Sequence, residues 1–154
     1  MAYLLMVAMT MFVLPLGSMG VEFAAGRSDL FWLTGKWFVF WGVGVRLAVA
    51  GARQYVQPAF TSRDLLGIDS PEVYVIVREL GGANFAAGVV GITSLAAPSF
   101  VMPCAIGAAI FYLVAGVEHM KSKARGRNEN IAMTSDLFLA FVLAAFTLCA
   151  LRSA

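Results

Sequence analysis

Apolar residues run along this chain in long, nearly uncharged stretches, broken by short clusters of Gly, Pro, Asp, Ser and basic residues. A helix needs about 20 such residues to cross the hydrocarbon core of a bilayer. The pattern predicts five helices, over residues 1–25, 30–57, 71–95, 100–120 and 131–151. The first run contains Pro15, which a membrane helix tolerates where a local adjustment re-satisfies the freed carbonyl. No Lys or Arg precedes this run, so it reads as a helix rather than a cleaved leader. Ser28 or Asp29 is a natural N-cap for the second run, and Pro58 closes it.

The second run is long enough to tilt, and Trp32, Trp37, Trp41 and Tyr55 suit interfacial depth near its ends. Thr61–Leu66 predicts a short surface turn. Asp69, Ser70, Pro71 and Glu72 read as a helix start, with a capping side chain, proline at the first helical position and an acid in the first turn. Ala96-Ala97-Pro98 forms a tight turn, and Lys121–Arg127 is the most polar stretch. Ser135 could cap a shorter fifth helix, but a start at Ile131 after Asn130 gives a better spanning length. No internal repeat is visible, which disfavours an inverted-repeat transporter.

Composition turns these helices into a membrane bundle. Of 154 residues, 60% are hydrophobic and 13% charged, with a mean hydropathy of +0.82. Soluble domains carry about 25% charged residues. A small soluble protein could not cover so much apolar surface with so few charges. The expected architecture is all-α, one transmembrane domain over residues 1–154, with membrane lipids around it. The net charge of +2 comes with no basic tract long enough for nucleic acid.

Loop charges give the bundle a direction. The 121–127 loop carries four Lys or Arg residues, and the loop after the second helix adds Arg63, with Arg53 at its edge. The other side has Arg27 and Arg152, with Lys36 near a helix end. The positive-inside rule then predicts a cytoplasmic N-terminus and an outward C-terminus. A bacterial inner membrane is the expected location.

That orientation gathers ionisable residues at one level near the cytoplasmic side: Arg46 and Arg53 on the second helix, Arg78 and Glu79 on the third, Glu118 and His119 on the fourth, Asp136 on the fifth. Charges in a bilayer are costly and usually face protein or water, paired with one another. Glu79 is followed at helical spacing by Gly82, Ala83, Ala86, Ala87 and Gly91, a small-residue stripe that admits a neighbouring helix. The second helix offers a similar face through Gly35, Gly42, Arg46, Ala50 and Arg53. The expectation is that Arg46 or Arg53 pairs with Glu79, while Arg78 snorkels to headgroups. Such a pair can serve packing alone. It can also line a polar pocket for a headgroup, quinone or small anion, or relay a proton, with Glu79 and His119 titrating.

Other chemistry is thinner. Glu118 and His119 are adjacent and point about 100° apart, unlike the Glu-x-x-His spacing of di-metal bundles, and no metal or other cofactor is expected. Cys104 and Cys149 fall at matching depth, so a disulfide between them is geometrically open alongside the reading as reduced core thiols. Asn84, deep in the third helix, reads as an interhelical hydrogen-bond donor. No nucleophile elbow, P-loop, dinucleotide fingerprint or metalloprotease motif occurs.

Ser70-Pro71-Glu72-Val73-Tyr74 through Arg78-Glu79-Leu80-Gly81-Gly82-Ala83-Asn84, Phe111-Tyr112-Leu113 through Gly116-Val117-Glu118-His119, and Asn128-Glu129-Asn130 together resemble a family of small, uncharacterised prokaryotic multi-helix membrane proteins. In size and topology the chain more distantly resembles DoxX-type bundles, some of which are associated with quinol oxidase or redox systems. The resemblance implies a fold class and no mechanism. With no soluble domain and no catalytic motif, the leading expectation is a non-enzymatic accessory or scaffold subunit, working with other membrane subunits or as a homo-oligomer. The alternative is a binding or transport protein, or proton relay, that uses the cytoplasmic-side polar level.

Overall fold

The computed structural model describes residues 2–68, 70–122 and 125–153. Within them five long helices succeed one another: α1 over 2–24, α2 over 30–56, α3 Tyr74–Thr93, α4 Val101–Lys121 and α5 Arg127–Ser153. Among the described residues there is no strand. In lipid each backbone polar group must be satisfied within the protein, which a helix does internally. Four of the five, all but α2, are long and apolar enough to cross a membrane.

The boundaries obey local chemistry. Asp29 caps α2, accepting a hydrogen bond from the Trp32 amide at 2.9 Å. Gly26 turns the chain out of α1 at a φ of 91°, where a Cβ would be strained. Pro71 and Pro98 each open a short 3₁₀ turn before α3 and α4. Asp69, expected in the cap of α3, lies outside the described residues, as do Lys123 and Ala124 of the basic loop. The hydroxyl of Ser70 donates to the Glu72 carboxylate. Arg125 closes the turn between α4 and α5, donating to the carbonyls of His119, Met120 and Ser122.

Three boundaries differ from the sequence reading. The fifth helix begins four residues earlier than Ile131, at Arg127, with Glu129 in its first turn where the helix dipole favours an acid. Ser135 caps nothing; its hydroxyl donates to the Ala132 carbonyl inside the helix. Finally, residues Phe60–Leu65 form a π-helical turn that is only half a surface feature: Thr61 and Ser62 are buried, while Arg63 and Asp64 are exposed.

α2 is the hub. Along its length it meets α1, α3 and α5 in antiparallel register: Lys36 lies opposite Glu22, Gly51 opposite Phe85, and Gly42 opposite Leu139. Against α3 the two backbones touch. A Cβ built on Gly88 would lie 2.3 Å from the Ala48 nitrogen, and one on Gly51 would lie 2.4 Å from the Phe85 nitrogen. Gly44, Gly81 and Gly91 complete this seam. Close approach of this kind is how helices associate where no hydrophobic effect drives them together.

Both α1 and α2 contain π-helical turns, over Met9–Val13 and Phe38–Val45. In α1 the cause is Pro15. It supplies no amide to the Met11 carbonyl and its ring crowds that group. The wider turn absorbs the conflict, with the Leu14 amide reaching back five residues to Met9. In α2 the turn ends at Arg46, whose amide reaches Trp41 in the same five-residue pattern. The two turns touch each other across the bundle. Wide turns of this kind frequently mark functional positions.

Candidate functional site

The π turn of α2 delivers Arg46 into the interior. Its Nη2 donates to Asp136 Oδ1 at 2.7 Å and to Ser135 Oγ at 2.8 Å, both on α5. Nη1 reaches the Met11 sulfur at 3.4 Å, in the π turn of α1. The guanidinium also lies over the Tyr112 ring of α4, 5.0 Å from its centroid. Tyr112 in turn donates its hydroxyl to the Gly42 carbonyl at 2.8 Å, tying α4 to the wide turn of α2. Four helices therefore meet at one guanidinium.

This ion pair is deep. Arg46 and Asp136 are 5% and 6% exposed. Arg46 lies three residues from the middle of α2 and Asp136 four from the middle of α5, or about 4.5 and 6 Å along the axes at a rise of about 1.5 Å per residue. Separating the two would leave an uncompensated charge in a low-dielectric interior, which costs far more than an exposed pair.

Beside the pair lies an open cavity of about 170 Å³. Arg46, Tyr112 and Asp136 form its polar depth, and Arg53, Thr61 and His119 lie nearer the helix ends. Its remaining walls are mostly apolar: Leu47 of α2, Leu65 of the connecting turn, Leu80 of α3 and Phe111 of α4 all contribute. At the rim the Arg53 guanidinium stacks on Phe60, 3.4 Å from the ring centroid. His119 Nδ1 is 3.4 Å from Glu129 Oε1. Asn84 donates to Gln54 at 2.8 Å, the interhelical bond expected of it.

In the far half a more open groove lies at the side of α1, lined by Gly17, Ser18, Glu22 and Trp37, but the axis of the bundle is packed. Val39, Val43, Val101, Ala105, Leu139 and Leu143 fill that axis, each 2% exposed or less. Apolar packing therefore closes off the deep end of the cavity.

Four of the seven residues singled out by sequence meet at this cavity: Arg46, Arg53, His119 and Asp136. Arg78, Glu79 and Glu118 do not. Glu79 is exposed, and the expected pairing of Arg46 or Arg53 with it is replaced by Arg46–Asp136. The reason lies in which small residues permit backbone contact. The seam on α3 runs through Gly81, Gly88 and Gly91, and Glu79 stands two residues, about 200°, from the start of that line. A Cβ on Gly82, part of the expected stripe, would meet nothing within 4 Å. The face predicted on α2 is real at Gly35, Gly42 and Arg46, but it packs against α5. Glu118 pairs with Lys121 at 2.6 Å on the surface.

The cysteines are not joined to each other: Cys104 packs against the core, while Cys149 is exposed. No group of three or more His, Cys, Asp or Glu side chains among the described residues is arranged to hold a metal. As site residues, Tyr3, Met11, Gln54 and Tyr112 escaped the sequence reading, and Ser135 was weighed there only as a helix cap. Ser135 had a usable signal, because it adjoins the one carboxylate inside the fifth apolar run. Met11 and Tyr112 had none, being ordinary core residues by pattern.

No curated protein and no solved structure matches the chain. One family model does, over residues 2–154, and by that match the chain belongs to DUF6790, a family of unknown function.

Proposed function

We propose that this protein binds an amphiphilic molecule in the cavity beside Arg46 and Asp136. The observation that carries this reading is the one-sided cavity: polar in its depth, apolar along its walls, and closed beyond by a tightly packed core. At about 170 Å³ it is smaller than the roughly 300–1,000 Å³ of a site that encloses a whole small molecule, so it takes the head of an amphiphile and leaves the tail to the lipid. The closed far half favours binding over conduction. The buried ion pair supports the same reading, since ionisable residues at this depth generally mark function. Ala50 lines the cavity, so Ala50→Trp fills it. We expect that variant to fold and to lose binding of oleate and decylubiquinone by purified protein in nanodiscs. Retention of both ligands at unchanged affinity contradicts the reading.

The orientation with both basic loops in the cytoplasm and the location in a prokaryotic inner membrane belong to this proposal, as does the distant kinship with DoxX-type bundles. The loop charges support the orientation. It makes the mouth of the cavity cytoplasmic.

A second role, as an accessory or scaffold subunit, draws support from glycines on outward faces. Gly17, Gly20, Gly82 and Gly107 have nothing within 4 Å of an added Cβ, which leaves room for a further helix. A monomer without partners after mild-detergent extraction removes that role and leaves the binding role standing.

A further inference from the structure

Resting on that binding reading, we infer that the occupant is a single-chain amphiphile with an anionic head, a carboxylate or phosphate, held by Arg53, its tail lying between α3 and α4. The charges lining the cavity point to the head. Arg46 is balanced by Asp136 within hydrogen-bond distance. Of the other basic groups lining the cavity, Arg46 faces Asp136 and His119 faces Glu129, which leaves Arg53 as the one without an acidic partner among the described residues.

Arg53 is also pre-arranged. Stacking on Phe60 engages the flat face of the guanidinium. Its five N–H groups point outward in the plane, the geometry that grips a carboxylate or phosphate with two hydrogen bonds. Among the described residues no carboxylate lies within 4.0 Å of it. A neutral head, such as a quinone ring, would cover this charge without compensating it, and an anion removes that cost.

The position of the tail comes from how the helices pack. α3 lies against α2 along its whole length and meets α4 only sparsely. Leu80 and Asn84 of α3 and Phe111 and Ala115 of α4 line the cavity where those two helices diverge. An acyl chain can pass there between cavity and bilayer. The cavity, about 170 Å³, takes the head and the first carbons of the chain, and the rest of the tail extends between the two helices.

The test is equilibrium binding of radiolabelled oleate to the full chain in phosphatidylcholine nanodiscs. Unlabelled oleyl alcohol, oleoyl lysophosphatidate and inorganic phosphate serve as competitors. We expect oleate and lysophosphatidate to bind at least tenfold more tightly than the alcohol, and phosphate alone to compete poorly. Arg53→Gln should lose at least tenfold in oleate affinity with an unchanged melting curve, and Arg53→Lys should fall between, keeping the charge without the fork. If Arg53→Gln does not fold, the contrast between oleate and oleyl alcohol on the unaltered protein decides.

Equal affinity for acid and alcohol, or an Arg53→Gln variant of unchanged affinity, overturns the anionic head and leaves the cavity reading intact. Phosphate competing as well as lysophosphatidate overturns the amphiphile in favour of a free anion. Oleate retained by Ala50→Trp but lost by Arg53→Gln places Arg53 at the bilayer headgroups, outside the cavity, and overturns the inference. If no amphiphile binds, including decylubiquinone, the cavity reading falls with it.

Discussion

The two faces of α2 solve the problem of packing helices in lipid by opposite means. Toward α3 it removes side chains altogether, so that Gly44 and Gly51 let the backbones touch. Toward α5 it keeps Arg46 and surrounds it with Asp136, Ser135, Met11 and Tyr112. The glycine seam is tight and shape-determined. The polar face costs desolvation and gives no obvious packing advantage, since apolar residues of similar volume often do as well or better than a buried pair. A feature that is expensive and replaceable for stability is where function is to be sought. The cavity lies against that face.

The sharpest perturbation of the polar face is Asp136→Ala, which strands the Arg46 charge. Breaking a buried pair costs about 3–5 kcal/mol. We expect a matching loss of stability in detergent unfolding, and recovery of most of it when Arg46→Met is combined with Asp136→Leu. Persistence of the full loss in the double variant would mean that the pair is needed for packing itself.

On the opposite face, Gly88→Val forces a side chain into the Ala48 backbone. Overpacking typically costs about 1–3 kcal/mol. We expect the upper end here, because a backbone cannot swing aside as a side chain can. Gly82→Val, on the open side of α3, should leave the melting temperature unchanged, which separates the seam from glycine content in general.

Smaller effects are expected away from both faces. Lys36 and Glu22 pair at 2.6 Å, each side chain about a quarter exposed. Pairs of this kind contribute about 0–1 kcal/mol, so Lys36→Gln should cost less than that and leave ligand binding intact. Glu79→Gln should change neither stability nor binding, within about 0.5 kcal/mol as for ordinary surface positions. A large loss of binding in this variant would return Glu79 to the site.

The helices themselves were legible because apolar length and capping residues are local signals. Asp29, Pro71 and Pro98 each mark a start that the chain uses. Helix direction alone also brings Arg46, Arg53, His119 and Asp136 toward one end of the bundle. Which helix faces which was not legible. Small residues line more than one side of α3, and only Gly81 and Gly88 set the seam apart from the alanine-rich stripe beyond Glu79, which shares Gly91 with it. In α2 a π turn adds a residue to one turn and so rotates the remainder of the helix by about 100°, which a strict 3.6-residue reading cannot anticipate. The roles of Tyr112 and Met11 depend on that rotation and so left no mark in the pattern.

Whether one half of the bundle is open and the other closed can be measured directly by thiol labelling. On a background lacking Cys104 and Cys149, single cysteines replace Ala50 or Ala115 in the cavity and Ala105 in the packed half. A membrane-impermeant maleimide is then applied to inside-out and right-side-out vesicles. The structure predicts that Ala50→Cys and Ala115→Cys react only from the face carrying the 121–127 loop and are protected by oleate, and that Ala105→Cys reacts from neither face. Labelling of the cavity positions from both faces, or of Ala105→Cys as readily as the others, would contradict a closed far half and the one-sided site built on it.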